Sequence, residues 1–278
     1  MKYSDSVFYR KMYFSFPLKE EPALRGVYAS LIKGTKNVLI DCGVSYNYPD
    51  IVQLAAEAGL RLSDIDMIML THCHSDHSGG LRRLKEEVPT LQVAAHPLGK
   101  PMLEDIDAHF KKRPVAAFHY LNGGSVTVDR VLEDNEEIDI GFPVRIIYTP
   151  GHSEDSLSVY LPEEKLLLSG DAIPHVHDMP FYDDLPAQRR TLAKLSELPT
   201  DAIISGFSGL WVQKEQGDIY GATTRLLDGV QKAVDDFGAT RPGASMEEMG
   251  RYVLRQIEVT GLPIPIFITS LKEHMKTS

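Results

Sequence analysis

A mixed α/β fold is the class this 278-residue sequence predicts, on two observations. Short apolar runs recur through the middle of the chain, separated by polar turns, and read as strands. Stretches with apolar residues at helical spacing stand before and after that series.

Residues 1–24 alternate aromatic and polar groups (Val7, Phe8, Tyr9, Met12, Tyr13, Phe14, Phe16) and are read as edge strands or pocket wall. Residues 27–32 and 37–40 flank Lys33-Gly34-Thr35-Lys36 in a β-hairpin pattern, and Asp41 ends the second strand. Residues 49–58 carry Ile51, Leu54, Ala55 and Ala58 at helical spacing, with Gly59 suited to cap them. Met67-Ile68-Met69-Leu70 is a buried strand. After the polar loop that follows, Gly79-Gly80 are read as letting the chain turn into a helix marked by Leu81, Leu84 and Val88, which Pro89 closes. Residues 92–96 form another strand, and His96 at its end is read as structural or surface rather than as a ligand.

Residues 97–122 break this rhythm. Residues 102–110 read as a helix, followed by Lys111-Lys112-Arg113 and the aromatic stretch Phe118-His119-Tyr120. Long excursions between core strands tend to become pocket walls. The basic triplet is either a solvated face or a contact for an anionic substrate group. Strands resume at residues 126–128, 144–148, 157–160 and 166–169, and His152 and Asp171 each follow the end of one. Residues 185–198 read as a helix and 202–205 as a final short strand. From Ile219 onward the pattern is helical, with one apolar stripe of Leu226, Leu227, Val230, Ala233, Val234 and Phe237. Ser245-x-x-Glu248 is a capping box opening a helix that runs toward Gly261 and Pro263, and residues 265–275 are a shorter last piece.

The chemistry gathers in Thr71-His72-Cys73-His74-Ser75-Asp76-His77. Three imidazoles and a carboxylate fall within six residues, directly after a buried strand. Neutral imidazole nitrogen and carboxylate oxygen are the donors that hold divalent Zn, Fe or Mn. Ligands at the end of a rigid strand are in place before the metal arrives. A polar turn with surface histidines is the bland alternative, and this density of donors argues against it.

His72-x-His74-x-Asp76-His77 resembles the HxHxDH signature of the metallo-β-lactamase-fold hydrolases. Val38-Leu39-Ile40-Asp41-Cys42-Gly43 is similar to that family's first motif, Thr149-Pro150-Gly151-His152-Ser153 to its third and Ser169-Gly170-Asp171-Ala172 to its fourth. The resemblance covers roughly residues 25–215. It implies an αββα sandwich, two mixed β-sheets packed face to face and flanked by helices. Residues 1–215 would form that core and residues 216–278 a helical extension, used to wall the pocket or to pack on the core or on a second subunit in a homodimer. It implies further that His72, His74 and His152 bind one metal, that Asp76 and His77 bind a second, and that Asp171 bridges them. Asp41 would brace the loop from behind; a strand-end turn is its other reading. The cofactor implied is Zn²⁺, one or two per chain, with Fe or Mn fitting the same donors.

By that resemblance the chain is a metal-dependent hydrolase. A hydroxide generated at the metal, with Asp76 in the catalytic group, attacks an ester, thioester or lactone-like carbonyl of a small molecule. Cys73 is the rival nucleophile and the weaker reading. One departure matters: where the family carries a last histidine, this chain reads Gly206-Phe207-Ser208-Gly209, and phenyl cannot ligate. His175 and His177 are the candidate replacement ligands. Phe207 sustains an alternative, a degenerate member that binds metal and ligand as a sensor or regulator. Di-iron redox chemistry is less favoured, since the flavin-linked di-iron enzymes carry Glu where this chain has His74. The net charge of −10 argues against nucleic acid as partner. Two cysteines, no apolar leader and no run of 18 apolar residues lead to the expectation of a cytoplasmic protein without a membrane span.

Overall fold

The computed structural model describes residues 1–16, 23–115, 117–259 and 265–276. Twelve strands are described in two six-stranded sheets. The first sheet runs in chain order: β1 (Val7–Phe16), β2 (Ala23–Ile32), β3 (Val38–Ile40), β4 (Met67–Met69), β5 (Gln92–Ala95) and β6 (Arg130–Val131). β1, β2 and β3 pair antiparallel, and β3 through β6 pair parallel. The second holds β7 (Glu137–Asp139), β8 (Pro143–Tyr148), β9 (Leu157–Leu161), β10 (Leu166–Gly170), β11 (Ala202–Ser205) and β12 (Gly209–Val212), ordered from β12 back to β7. Only β10 and β11 pair parallel there.

The strands alternate their allegiance with period two. Val38 and Ile40 face the second sheet and pack with Val144, Ile146, Val159 and Leu168. Leu39 points the other way, onto the helix layer with Leu31, Ile68 and Val93. Both faces of β3 and β4 are buried, which is why Val38-Leu39-Ile40 and Met67-Ile68-Met69 read as unbroken apolar runs. Truncating Leu39 or Ile40 to alanine would cost about 2–5 kcal/mol, a transfer and a cavity cost together.

Helices cover the outer faces. On the first sheet lie α1 (Tyr48–Glu57), α2 (Ser75–Ser78), α3 (Leu81–Glu87), α4 (Lys100–Glu104), α5 (Ile106–Lys112) and α6 (Phe118–Leu121). Ile51, Leu54, Leu81 and Leu84 bury their apolar stripes there. α7 (Leu185–Ser196), the short α8 (Gln213–Gln216) and α9 (Ile219–Thr240) follow, then α10 (Met246–Gln256) and α11 (Pro265–Met275). The first half of α9, with Ile219, Tyr220 and Leu227, packs with α7 on the second sheet. Its second half, from Val230 to Phe237, packs with α10 and α11 in a separate apolar cluster. α9 therefore belongs to both the core and the extension. The capping box is present: Glu248 N–H donates to Ser245 Oγ at 3.2 Å and Ser245 N–H donates to Glu248 Oε2 at 2.8 Å.

Several local expectations change. Residues 126–128 make no ladder; Val126 and Val128 are buried against the helix layer, and the strand is the two-residue β6 beyond them. The helix expected over 102–110 is broken at Asp105, whose carboxylate caps α5 through Ala108 N–H. Residues 202–205 are not the last strand, because β12 folds back antiparallel on them. Gly79 and Gly80 both have helical φ, so their role is not a turn. A Cβ at Gly79 would stand 2.1 Å from Leu121 O, and one at Gly80 2.7 Å from Cys42 O. They let two backbones approach. Gly261 and Pro263 lie outside the described residues.

Candidate metal centre

β3, β4, β8, β10 and β11 all point the same way, and the loops after their carboxyl ends meet at one edge of the sandwich. Asp41 follows β3 in a left-handed conformation, φ 60°, which Asp tolerates better than most residues. Its buried carboxylate accepts Thr71 N–H at 2.8 Å, Thr71 O–H at 2.7 Å and His77 Nδ1 at 2.7 Å. One carboxylate thus ties β3 to the loop after β4.

Those bonds set the imidazole tautomers. Thr71 gives its hydrogen to Asp41, so its Oγ1 accepts from His72 Nδ1 at 3.1 Å. His152 Nδ1 donates to the Phe181 carbonyl at 3.0 Å, and His77 Nδ1 donates to Asp41. In all three rings Nε2 faces the shared space, and in His72 and His152 it is left with its lone pair. His74 turns its Nδ1 into that space, 2.9 Å from His72 Nε2 and 3.0 Å from His152 Nε2. Around a tetrahedral Zn²⁺ with bonds of about 2.0–2.1 Å, donor separations are roughly 3.3 Å. Asp171, just past β10, places Oδ2 at 3.4 Å from both His77 Nε2 and His152 Nε2 and at 3.9 Å from His72 Nε2. His77 Nε2 and Asp171 Oδ1 are buried without any partner among the described residues. Converging lone pairs and orphaned buried donors of this kind fit a divalent cation.

Two sets of donors result, His72 with His74 and His152, and His72 with His77 and Asp171, each with all atoms within 4.8 Å. Asp76 falls in neither; its Oδ2 is 3.9 Å from His77 Nε2, on the cavity side. Burial, helped by the neighbouring histidines, holds His72 and His74 well below the usual imidazole range, so they are neutral donors. Burial acts the same way on His77, but Asp171 and Asp41 overcome it and raise its pKa. Burial alone would raise Asp171; His77 and His152 reverse that and lower it. At Asp76 burial prevails and the pKa is raised.

Phe207 lies in the turn between β11 and β12, its ring centroid 6.4 Å from that of His77. A Cβ at Gly206 would stand 2.1 Å from Asp171 Oδ1, so only glycine lets this turn approach the centre. His175 lines the cavity and accepts His177 N–H on its Nδ1 at 3.0 Å, while His177 is exposed. The structure brings neither into a donor set. Cys73 is buried on the far side of the loop, Sγ 3.7 Å from Met102 Sδ, and burial raises its thiol far above the usual range. It is no nucleophile for this cleft.

A cavity of about 140 Å³ opens over His74, Asp76, His152 and Asp171. Its wall is mostly apolar, with Phe14, Phe118, Leu121, Ile173, Met179 and Phe181. No described residue beyond 215 lines it. The C-terminal helices stand one layer back and prop the wall: Met179 packs into their cluster, and Ser270 Oγ exchanges hydrogen bonds of 3.0 Å with both Tyr182 N and Tyr182 O. Sequence reasoning passed over Thr71 and the Phe181 carbonyl. Thr71 adjoins the first histidine, which is a signal of sorts; a backbone carbonyl 29 residues from its histidine leaves none.

A model of the metallo-beta-lactamase superfamily matches residues 23–206. The chain belongs to that superfamily. Its members bind metal ions, and this chain has a His/Asp cluster of its own. Among curated relatives, the chain is 32% identical over 174 residues to a beta-lactamase-like protein 2 homolog of Caenorhabditis elegans, covering 62% of this chain and 52% of that protein. It is 28% identical over 256 residues to the flavo-diiron protein FprA2 of Clostridium acetobutylicum, 87% of this chain and 57% of that one. Over 158 residues it is 28% identical to a hydroxyacylglutathione hydrolase of Brucella ovis, 56% and 52% respectively. The chain spans about half the length of these relatives. A crystal structure of a metallo-beta-lactamase family protein from Thermus thermophilus superposes with a TM-score of 0.74 at 20% identity, covering 97% of this chain and 92% of that one. At that identity the likeness speaks for the fold. Among the described residues no helix is long and apolar enough to cross a membrane.

Proposed function

We propose that the protein is a metal-dependent hydrolase acting on an ester, thioester or lactone-like carbonyl of a small molecule. One observation carries the reading: imidazole lone pairs, fixed from behind by Thr71, Asp41 and the Phe181 carbonyl, converge at the floor of an apolar cavity. His72, His74 and His152 hold one ion; His77, Asp76 and the shared Asp171 hold a second, weaker one. Zn²⁺ is the proposed metal, with Fe or Mn accepted by the same donors. A bound divalent ion supplies water acidified toward a pKa of ~7 and a Lewis acid for the carbonyl oxygen. The chain supplies the rest. Phe118, Leu121, Ile173 and Phe181 exclude bulk water and seat the apolar part of the substrate. Asp171 holds charge between the two donor sets, and Asp76, on the cavity side of His77, takes and returns a proton during attack and departure. The hydrolase among the relatives supports this reading at the level of reaction class. The two buried, free thiols agree with a reducing, cytoplasmic setting, part of the same proposal.

Elemental analysis of protein purified without added metal, followed by a panel of matched oxyesters, thioesters and lactones, tests it. Turnover should vanish on chelation and return with metal. Cleavage that ignores chelation, or none at full metal content, would falsify the proposal. Phe207 favours a second reading, a metal-bound ligand sensor, because it stands beside His77 where a third nitrogen would complete the weaker set. Metal content should lie between one and two per chain after mild chelation, and Phe207→His should tighten the second ion. Two equally tight ions in the native protein would remove the ground for the sensor reading. Redox chemistry at two irons draws on the flavo-diiron relative, but His74 in place of Glu speaks against it.

A further inference from the structure

The basic triplet divides on folding. Lys112 turns outward to Glu154, while Arg113 faces the cavity above the metal floor. His109 also lines that cavity, four residues earlier: it stands in the last turn of α5, and Arg113 is the residue that ends the helix. His109 is 2% exposed. Its Nε2 lies 4.0 Å from the Cys73 sulfur, and its Nδ1, a donor in the Nδ1–H tautomer, is buried with no partner among the described residues. Native structures seldom leave such a nitrogen unanswered, and an orphan on a cavity wall points to a ligand.

Arg113 supplies the second donor. Its Nη1 is tied to the Asp183 carboxylate, and Asp183 N–H donates to Gly151 O at 2.8 Å, next to His152. The guanidinium is thereby fixed beside the metal end of the cavity. Its Nε and Nη2 have no partner among the described residues. A fixed guanidinium fork with free N–H groups matches a carboxylate in shape as well as charge. Arg25, the other arginine of the lining, comes from β2 and is held by Asp178 at 3.2 Å.

We propose that His109 and Arg113 form an anion-anchoring subsite, so that the substrate carries a carboxylate on the part of the molecule remote from the scissile carbonyl. The proposal rests on the hydrolase reading for its substrate, but not for its test. The probes are two matched aryl esters, the aryl hydrogen glutarate and the corresponding glutaramate, which differ only in carboxylate against carboxamide. The metal-loaded protein should prefer the carboxylate in kcat/KM by about 10- to 100-fold, the usual worth of a charge-assisted hydrogen bond. Arg113→Gln should bring that ratio to near one at unchanged metal content. Arg113→Lys should keep part of it, and His109→Gln should lower it. Arg25→Gln should leave the ratio as it was. No preference in the native protein would overturn the subsite, as would a preference that survives Arg113→Gln, which would put the carboxylate on the metal. If Arg25→Gln alone erased the ratio, the anion would lie at β2 instead. Should neither ester be cleaved, the same ratio is taken from calorimetric affinities of the two esters for native and Arg113→Gln protein, and the hydrolase reading is left to the wider panel of thioesters and lactones. Equal affinities in the native protein then overturn the subsite as well.

Discussion

The floor of the cavity and its wall are built on different physics. The floor is polar, buried and assembled from the carboxyl ends of β3, β4, β8 and β10, with His72, His77 and His152 each oriented by a hydrogen bond from behind. The wall is mostly apolar and comes from the segments around residues 117–121 and 173–181; the first packs on the helix layer of the first sheet, and the second owes its position to α9, α10 and α11 behind it. A misplaced donor in the floor loses a bond of steep geometry, whereas a shifted apolar side chain in the wall loses a few dispersion contacts. Damage to the floor should therefore appear in metal binding. Damage to the wall should appear in stability and in substrate choice.

The largest effect expected is loss of the metal itself. His72→Ala or His152→Ala removes one of three nitrogens, and elemental analysis should find the first ion gone. Full metal content in both variants would show that the donor set lies elsewhere.

The wall should respond to acid. His274 on α11 donates from Nδ1 to Gln231 Oε1 and accepts the Tyr182 O–H on Nε2, a pattern open only to the neutral ring. Burial, with Arg189 adding to it, lowers its pKa to about 4. The unfolded chain, with an ordinary imidazole, binds the proton first. Stability is fully present above pH ~6.5 and is lost as pH falls from there through about 4, by up to about 3 kcal/mol. Urea midpoints across that window should fall with acid in the native protein and fall less in His274→Gln. Identical slopes would mean that this histidine is not held neutral.

Bracing from behind should matter next. Asp41→Asn removes the charge that accepts Thr71 and His77, and losses of about 10- to 100-fold in metal affinity follow from disturbing such partners. Competition with a chelator of known affinity measures it. An unchanged affinity would leave Asp41 a strand-end residue and nothing more.

Ser270→Ala is the mildest break, removing two hydrogen bonds to Tyr182 at about 1 kcal/mol each. Thermal denaturation should register it, and KM should rise while metal content stays the same. A metal loss as large as that of His152→Ala would erase the distinction between floor and wall.

By itself the sequence showed a cluster of histidines after a buried strand, and its motifs implied the sandwich by their resemblance. His72, His74 and His77 are neighbours in the chain, and a buried strand before them shows as an unbroken apolar run, so no folding is needed to see the cluster. Ser245 and Glu248 announce a helix start for the same reason: the partners are three residues apart. Strands β6, β7 and β12, of two to four residues, are too short to show a period, and they exist because a neighbouring strand offers a ladder. Only the tertiary structure decided which imidazole nitrogen faces the centre, since that depends on Asp41, Thr71 and a carbonyl at Phe181. It also decided that Arg113 turns inward while Lys112 turns out, and that α9 to α11 stand behind the wall instead of in it. Contacts within a few residues are written in the local pattern, while those between distant segments depend on how the layers pack, which no local window contains.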